Sequence, residues 1–484
     1  MHFIQPDKHS RRAFLRRAGQ LAFTGAALPT ALNLVAMGEA AAFNATDYKA
    51  LVCVFLFGGN DYANTVVNYD SASYAQYNTI RGGRVDFSGG GIAIPRADMA
   101  ATLLNPTTAL PGGVQYALHP AMSGLAGLFN SGSAAVQLNV GPLIEPMTRT
   151  QYNNGTRRRP PKLFSHNDQQ SVWQSSQAEG ARTGWGGQMG DLALSSNANP
   201  SNPVLSCISV AGNTVFLSGD QALSYQVGTG GAVKINSLNS NVYSSAEVRA
   251  AMTTLALQER SQLLEKEYNL ITARSFSTEG AVTNALAAFP ASGTEFAGFP
   301  AQNRLADQLK LVARMIAARG TLGTKRQVFF VSMGGFDLHD NLINNQANLM
   351  GQLSAGLTAF YESTVALGVA DKVTAFTASD FGRTLQSNGD GSDHGWGSHH
   401  LMVGGAVRGK AFYGSAPPVS VTNSSDSNDQ WHVGQGRLLP STSVDQYAAT
   451  LATWFGVQGN EMSAIAPNLG NFGGAYPTNL DFML

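Results

Sequence analysis

The chain has 484 residues, of which 43% are hydrophobic, enough for one large α/β domain with insertions or for two medium ones. Charged residues are only 13%, against roughly a quarter in average proteins, glycine reaches 53 copies and the formal charge is zero. That balance excludes a polycation built for nucleic acid or anionic lipid and points to long polar loops in an exported protein.

At the N-terminus, Ser10-Arg11-Arg12-Ala13-Phe14-Leu15-Arg16 reads as a twin-arginine signal. A moderately apolar stretch follows over 18–37, and Glu39-Ala40-Ala41-Ala42 offers small residues for cleavage. Gly19, Thr24, Gly25, Pro29 and Asn33 make the stretch too weakly apolar for a comfortable span, so no membrane span is expected in the mature chain. The expected address is the periplasm or the exterior, with the twin-arginine export machinery as a partner. Residues 1–42 carry five basic and two acidic side chains, so the mature chain keeps 26 basic and 29 acidic, a net of −3. The only cysteines, Cys53 and Cys207, each lie in an apolar run and are expected as buried thiols.

The run Ala50-Leu51-Val52-Cys53-Val54-Phe55-Leu56-Phe57 fits a strand buried on both faces. It ends in Gly58-Gly59-Asn60-Asp61, where two glycines permit a sharp turn and set Asp61 at the strand's carboxyl end. Residues 68–115 are polar and glycine-rich, with a loop at Gly89-Gly90-Gly91. His119-Pro120 opens a helix, the histidine reading as a cap rather than a ligand, and 135–140 reads as another buried strand. Arg157-Arg158-Arg159 before Pro160-Pro161 reads as a solvated loop. Ser165-His166-Asn167-Asp168 leads a helix over 169–177. Ser165 either caps that helix or, at a helix N-terminus that favours negative charge, serves as a nucleophile. His166 acts as acid or base, or orients the loop.

Residues 195–300 carry no evident chemistry and are expected as an insertion or cap on a single domain over 43–484. Within them 204–210 and 214–217 read as strands, with a hairpin around Gly212-Asn213. Ser244-Ser245-Ala246-Glu247 is a capping-box pattern opening a helix to about residue 274. Leu305, Leu309, Val312 and Ile316 recur at helical spacing up to a stop at Gly320. The stretch 328–378 is a strand, a helix and a strand, the βαβ pattern of a parallel sheet. Ser443-Val444-Asp445-Gln446 is a second capping box.

Chemistry concentrates at the ends of these strands. Of seven histidines outside the signal, His339, His394, His399 and His400 fall within one 62-residue window. Asp61, Asp337 and Asp380 each follow an apolar run. Carboxylate with imidazole suits a divalent cation such as Zn, and carboxylate-rich sets suit Ca, Mg or Mn. The bland alternative is that Asp337 and Asp380 cap turns and the histidines are satisfied by hydrogen bonds. Arg383 either clamps a substrate oxyanion or pairs with Asp380.

Several motifs carry a resemblance: Phe55-Leu56-Phe57-Gly58-Gly59-Asn60-Asp61, Leu118-His119-Pro120, Ser165-His166 with Trp173, and Thr183-Gly184-Trp185. Further along are Gly335-Phe336-Asp337-Leu338-His339, Asp380-Phe381-Gly382-Arg383, Asp393-His394-Gly395, and Leu439-Pro440 with Asp445-Gln446-Tyr447. Over nearly the whole mature chain the sequence resembles the bacterial twin-arginine-exported family catalogued only as a domain of unknown function (fifteen-oh-one). That family in turn is similar in fold to the alkaline phosphatase and sulfatase superfamily. The resemblance implies an α/β fold, a mostly parallel central sheet with helices on both faces, and one or two metals facing a nucleophile. It implies Asp61, Asp337, His339 and Asp380 as metal ligands, with a late histidine from His394, His399 or His400, and Ser165 as nucleophile. It also implies a metal-dependent hydrolase with Zn, Ca or Mn, acting on a small-molecule or polymer phosphate or sulfate ester. The alternative is a non-catalytic relative that binds a glycan, lipid or protein in the same cleft. Two departures stand out. The superfamily pair is spaced Asp-x-x-x-His, whereas Asp337-x-His339 stands here, and Phe381 occupies the position of a ligating histidine. One metal, or an altered pair, is the expectation.

Overall fold

Successive side chains of β1 (Lys49–Leu56) enter opposite cores: Ala50, Val52, Val54 and Leu56 pack on one face, Leu51, Cys53 and Phe55 on the other. The period of two makes the run a strand, and its unbroken hydrophobicity puts it at the centre of a sheet covered on both sides. The computed structural model describes residues 43, 45–82, 91–234, 236–241 and 243–484. The expected signal and most of the triple-glycine loop lie outside the described residues.

The remaining strands are β2 (Val66–Asn68), β3 (Tyr116–Leu118), β4 (Ala134–Gly141), β5 (Cys207–Ser209), β6 (Tyr225–Gly228) and β7 (Gly231–Ala232). They continue with β8 (Arg326–Met333), β9 (Val373–Ser379), β10 (Arg383–Ser387), β11 (Ser392–His394), β12 (Ser398–Gly404), β13 (Phe412–Tyr413) and β14 (Thr442–Ser443). The main sheet runs β13-β4-β12-β9-β1-β8-β5-β6-β7, with β14 also paired to β4. Most neighbours are parallel; β12 runs antiparallel to both β4 and β9, and β7 runs antiparallel to β6. This is the expected mixed α/β fold with a mostly parallel sheet.

One face of the sheet is covered by helices Ser123–Ser131, Arg304–Ala317 and Leu342–Ala366. The other is covered by Trp185–Ser195 and Val444–Phe455. Leu305, Leu309, Val312 and Ile316 form the buried stripe of their helix as their spacing predicts, each contributing about 1.5–3 kcal/mol on burial. The stretch 328–378 forms the expected strand, helix and strand, with β1 lying between β8 and β9.

Several local expectations differ from the structure. Val215–Leu217 form a 3-10 turn where 214–217 was expected as a strand, because the Thr214 hydroxyl accepts from the Phe216 N–H and curls the chain. The helix expected from 246 to about 274 is two helices, Ala246–Leu257 and Leu263–Ala287, broken where Gln258 turns extended. Ser245, not Ser244, caps the first of them. Gly320 does not stop its helix; a further turn, Arg319–Leu322, ends at Gly323 with φ +64°. The stretch 195–300 is not only an insertion, since it adds β5, β6 and β7 to the sheet. Cys53 and Cys207 are free and buried, as expected, and burial pushes both thiols up. Among the described residues no helix is long and apolar enough to cross a membrane.

Candidate metal centre

Leu56 of β1 is in register with Met333 of β8 and Ser379 of β9, all parallel, so three loops leave the sheet at one rim. Gly58 turns the first of them at φ +116°, and a Cβ there would lie 2.3 Å from the Asp337 nitrogen. Only glycine lets the β1 and β8 loops approach so closely. A single guanidinium braces the rim. Arg383 is fully buried and donates to the carbonyls of Gly58, Gly59, Phe336 and Ser392, and it contacts the Asp337 carboxylate.

Around Asp337 stand three imidazoles. Its carboxylate lies 3.5 Å from His166 Nε2, 3.1 Å from His339 Nε2 and 3.2 Å from His394 Nε2. His339 Nε2 and His394 Nε2 are 3.1 Å apart. The outer nitrogen of each ring is engaged elsewhere. His166 Nδ1 lies 2.7 Å from Asp380 Oδ2, His394 Nδ1 lies 2.8 Å from the Phe164 carbonyl, and His339 Nδ1 lies 3.2 Å from Asp393 Oδ1. A carbonyl or carboxylate oxygen can only accept, so each Nδ1 donates, and the Nε2 of each ring faces Asp337. Imidazole nitrogens and a carboxylate converging at such distances need protons or a cation among them, and Arg383, which contacts Asp337 and lies 3.4 Å from His339 Nε2 through Nη1, supplies part of that charge. Ligand atoms of His166, Asp337 and His394 all lie within 4.8 Å of one another, and two imidazoles with one carboxylate fit a borderline transition cation better than Ca.

The surroundings aim these groups. His166 and Gln170, one helical turn apart on His166–Ser175, both reach Asp380 Oδ2, which also accepts from the Gly58 N–H. Phe381 takes no ligand role; its ring packs against His166 and His394 at 4.9 and 4.6 Å between centroids. Phe164 sits at φ +73°, a left-handed conformation uncommon for a non-glycine residue, with its carbonyl on His394. The Asp380 hydrogen bond raises the His166 pKa, while burial lowers that of His394. For Asp337 burial works upward, but Arg383 and the imidazoles of His166 and His339 outweigh it and the pKa falls.

Other expected residues lie apart. Asp61 caps the short helix Tyr62–Thr65, and its carboxylate is held by the buried Arg81 in an ion pair. His399 Nδ1 accepts from the Asn139 N–H and His400 Nδ1 lies 3.1 Å from the Thr377 hydroxyl, both buried within β12. None of these three joins the group around Asp337. Asp380 joins it through His166. Arg383 pairs with Asp337 rather than Asp380, and its N–H groups are committed to carbonyls. The Ser165 hydroxyl bonds Asp168 Oδ2 at 3.1 Å, while its neighbours Phe164 and His166 both touch the cluster. Arg157, in the loop before this segment, is largely exposed and pairs with Glu145.

Sequence reasoning missed His166 as a candidate ligand, and it missed Arg81, Gln170 and the Phe164 carbonyl entirely. The four-residue spacing of His166 and Gln170 is the signal that was there to read, since it sets both on one helix face. Comparison with known proteins finds a match over residues 48–465 to the family described as "Protein of unknown function (DUF1501)". No curated protein matches.

Proposed function

The chain belongs to the DUF1501 family, whose description assigns no activity, and from the rim we propose an exported, metal-dependent hydrolase of phosphate or sulfate esters with an alkaline phosphatase-like topology. The observation that carries this reading is the set of three imidazoles, each anchored through Nδ1, that turn Nε2 toward one carboxylate. Such outer partners orient ligating histidines in metal sites. Residues 1–42 supply the export signal in this reading, which puts the protein in the periplasm or outside the cell.

His166, Asp337 and His394, with His339 beside them, would hold a divalent cation, which would supply Lewis-acid chemistry toward water or a hydroxyl and toward the charge on an ester oxygen. Zn suits the imidazoles and Mn the carboxylate. Asp380 fixes the His166 ring and Asp393 fixes His339. Arg383 positions the loops that carry Asp337 and His394; buried and committed to carbonyls, it does not clamp substrate. Ser165, its hydroxyl directed by Asp168, is the candidate nucleophile.

A second reading has its own observation. Arg383 already neutralises part of Asp337's charge and Phe381 fills the position of a ligand, which suits a non-catalytic relative that binds a glycan, lipid or protein partner at the same rim. A panel of phosphomonoester, phosphodiester, sulfate and acyl esters, assayed with Zn or Mn and again with chelator, separates the two. Turnover that chelator abolishes and Ser165→Ala lowers supports the hydrolase. No turnover of any ester with any metal sinks it.

A further inference from the structure

Solvent-facing apolar surface is unevenly distributed over the described residues. Of the large hydrophobic side chains that are exposed, only Val365 and Leu484 lie outside residues 223–271. Leu263 and Leu264 are 81% and 84% exposed and Tyr268 is 68% exposed, with Leu255, Leu270 and Ile271 close by in the chain. Helix Ala246–Leu257 buries none of its residues. In helix Leu263–Ala287 burial is confined to Thr278 and beyond, except at Asn269, whose amide donates to the Gln258 carbonyl and ties the two helices together. A short helix with no buried face is marginal in water, and clustered exposed apolar side chains mark an interaction surface.

The charge pattern selects the occupant. Glu267 and Arg274 are exposed and share a stripe with Leu264 and Ile271 at the helical period. Neither has an ion-pair partner among the described residues. Seven residues apart, they are separated by about 10 Å along the axis and cannot reach each other. An antiparallel two-fold pairing of this helix with its copy, centred between Leu270 and Ile271, places each Glu267 opposite the Arg274 of the second copy. The same pairing brings Leu264, Tyr268 and Ile271 of both copies out of water. We propose that the arm formed by residues 246–275 is a homodimer interface of isologous type, in which residue i meets j and j meets i. It stands independently of the metal centre.

The test is sedimentation velocity of the full mature protein over a range of concentrations, with far-UV circular dichroism to confirm that each variant keeps its helices. A dimer is expected for the native protein. Glu267→Arg and Arg274→Glu each set like charges opposite one another and weaken it roughly tenfold or more. The double variant Glu267→Arg/Arg274→Glu exchanges the pairs and restores the dimer. A protein that stays monomeric at every concentration overturns the proposal, as does a dimer indifferent to both single changes or a double variant as weak as the singles. A monomer that instead co-sediments with phosphatidylcholine–phosphatidylglycerol vesicles assigns the surface to lipid, and likewise overturns it.

Discussion

Replacing Asp61 by alanine distinguishes two roles that its residue type allows. As the partner of buried Arg81 it holds a charge that has no exit to solvent, so its loss strands that guanidinium and lowers stability by about 3–5 kcal/mol. Urea unfolding measures that loss, and the metal content of the folded fraction stays unchanged; a metal-depleted variant of normal stability would return Asp61 to the ligand set. Asp380→Asn makes the complementary case. It weakens the acceptor on His166 Nδ1, so metal affinity falls about 10–100-fold in a competition titration while all first ligands remain. A residue-by-residue reading of the sequence finds Asp337, His339 and His394 because carboxylates and imidazoles stand just past the ends of apolar runs, where open α/β sheets place their chemistry. It cannot tell them from Asp61, His399 and His400, which have the same composition and similar positions. What separates them is a partner far away in the chain: Arg81 for Asp61, and Asn139 for His399.

Elements were legible where local chemistry alone decides them. The capping box Ser443-Val444-Asp445-Gln446 forms as read, with the Ser443 hydroxyl accepting from the Gln446 N–H and the Gln446 side chain returning to the Ser443 N–H. Ser443→Ala therefore costs about 1 kcal/mol, seen as a shift in the urea midpoint with unchanged slope. An unchanged midpoint would show that tertiary burial of Val444–Phe455, and not its cap, fixes where this helix starts. Strands β1, β8 and β9 were legible for a similar reason, since runs buried on both faces leave few alternatives. The break at residues 258–262 was not legible. No proline or glycine marks it, and it is set by the Asn269 amide capping the Gln258 carbonyl from the following helix. The small pair β10 and β11 was missed too, because a short hairpin of polar residues has neither period to show.

On the scale of the whole molecule, the fold commits several ionisable groups to the interior, and acid should find them. Burial pushes the pKa of His119 down to about 4 and those of His399 and His400 down to about 3, so all three are neutral when folded. Unfolded histidine takes up its proton near pH 6.5, so this stability is present above that value and is lost as pH falls toward 3–4. Asp445, raised to about 6 by burial, opposes the trend: its contribution is present below its unfolded value and is lost as pH rises through about 6. Three histidines outweigh one aspartate, and denaturation at a series of pH values should show stability falling by about 2–3 kcal/mol per pH unit near pH 5. A flat profile there would mean that these imidazoles reach solvent. The order of the sheet strands was beyond the sequence, because β1 pairs with strands that lie hundreds of residues later, yet that order alone brings the loops of Asp337 and Asp380 to one rim. What the rim binds decides between a hydrolase and a binding module, and metal analysis of the full-length protein purified from cells measures it. About one equivalent of Zn or Mn is predicted, lost in Asp337→Ala and in His394→Ala and kept in His400→Ala. Metal-free native protein, or metal that survives both of the first two substitutions, would contradict the account.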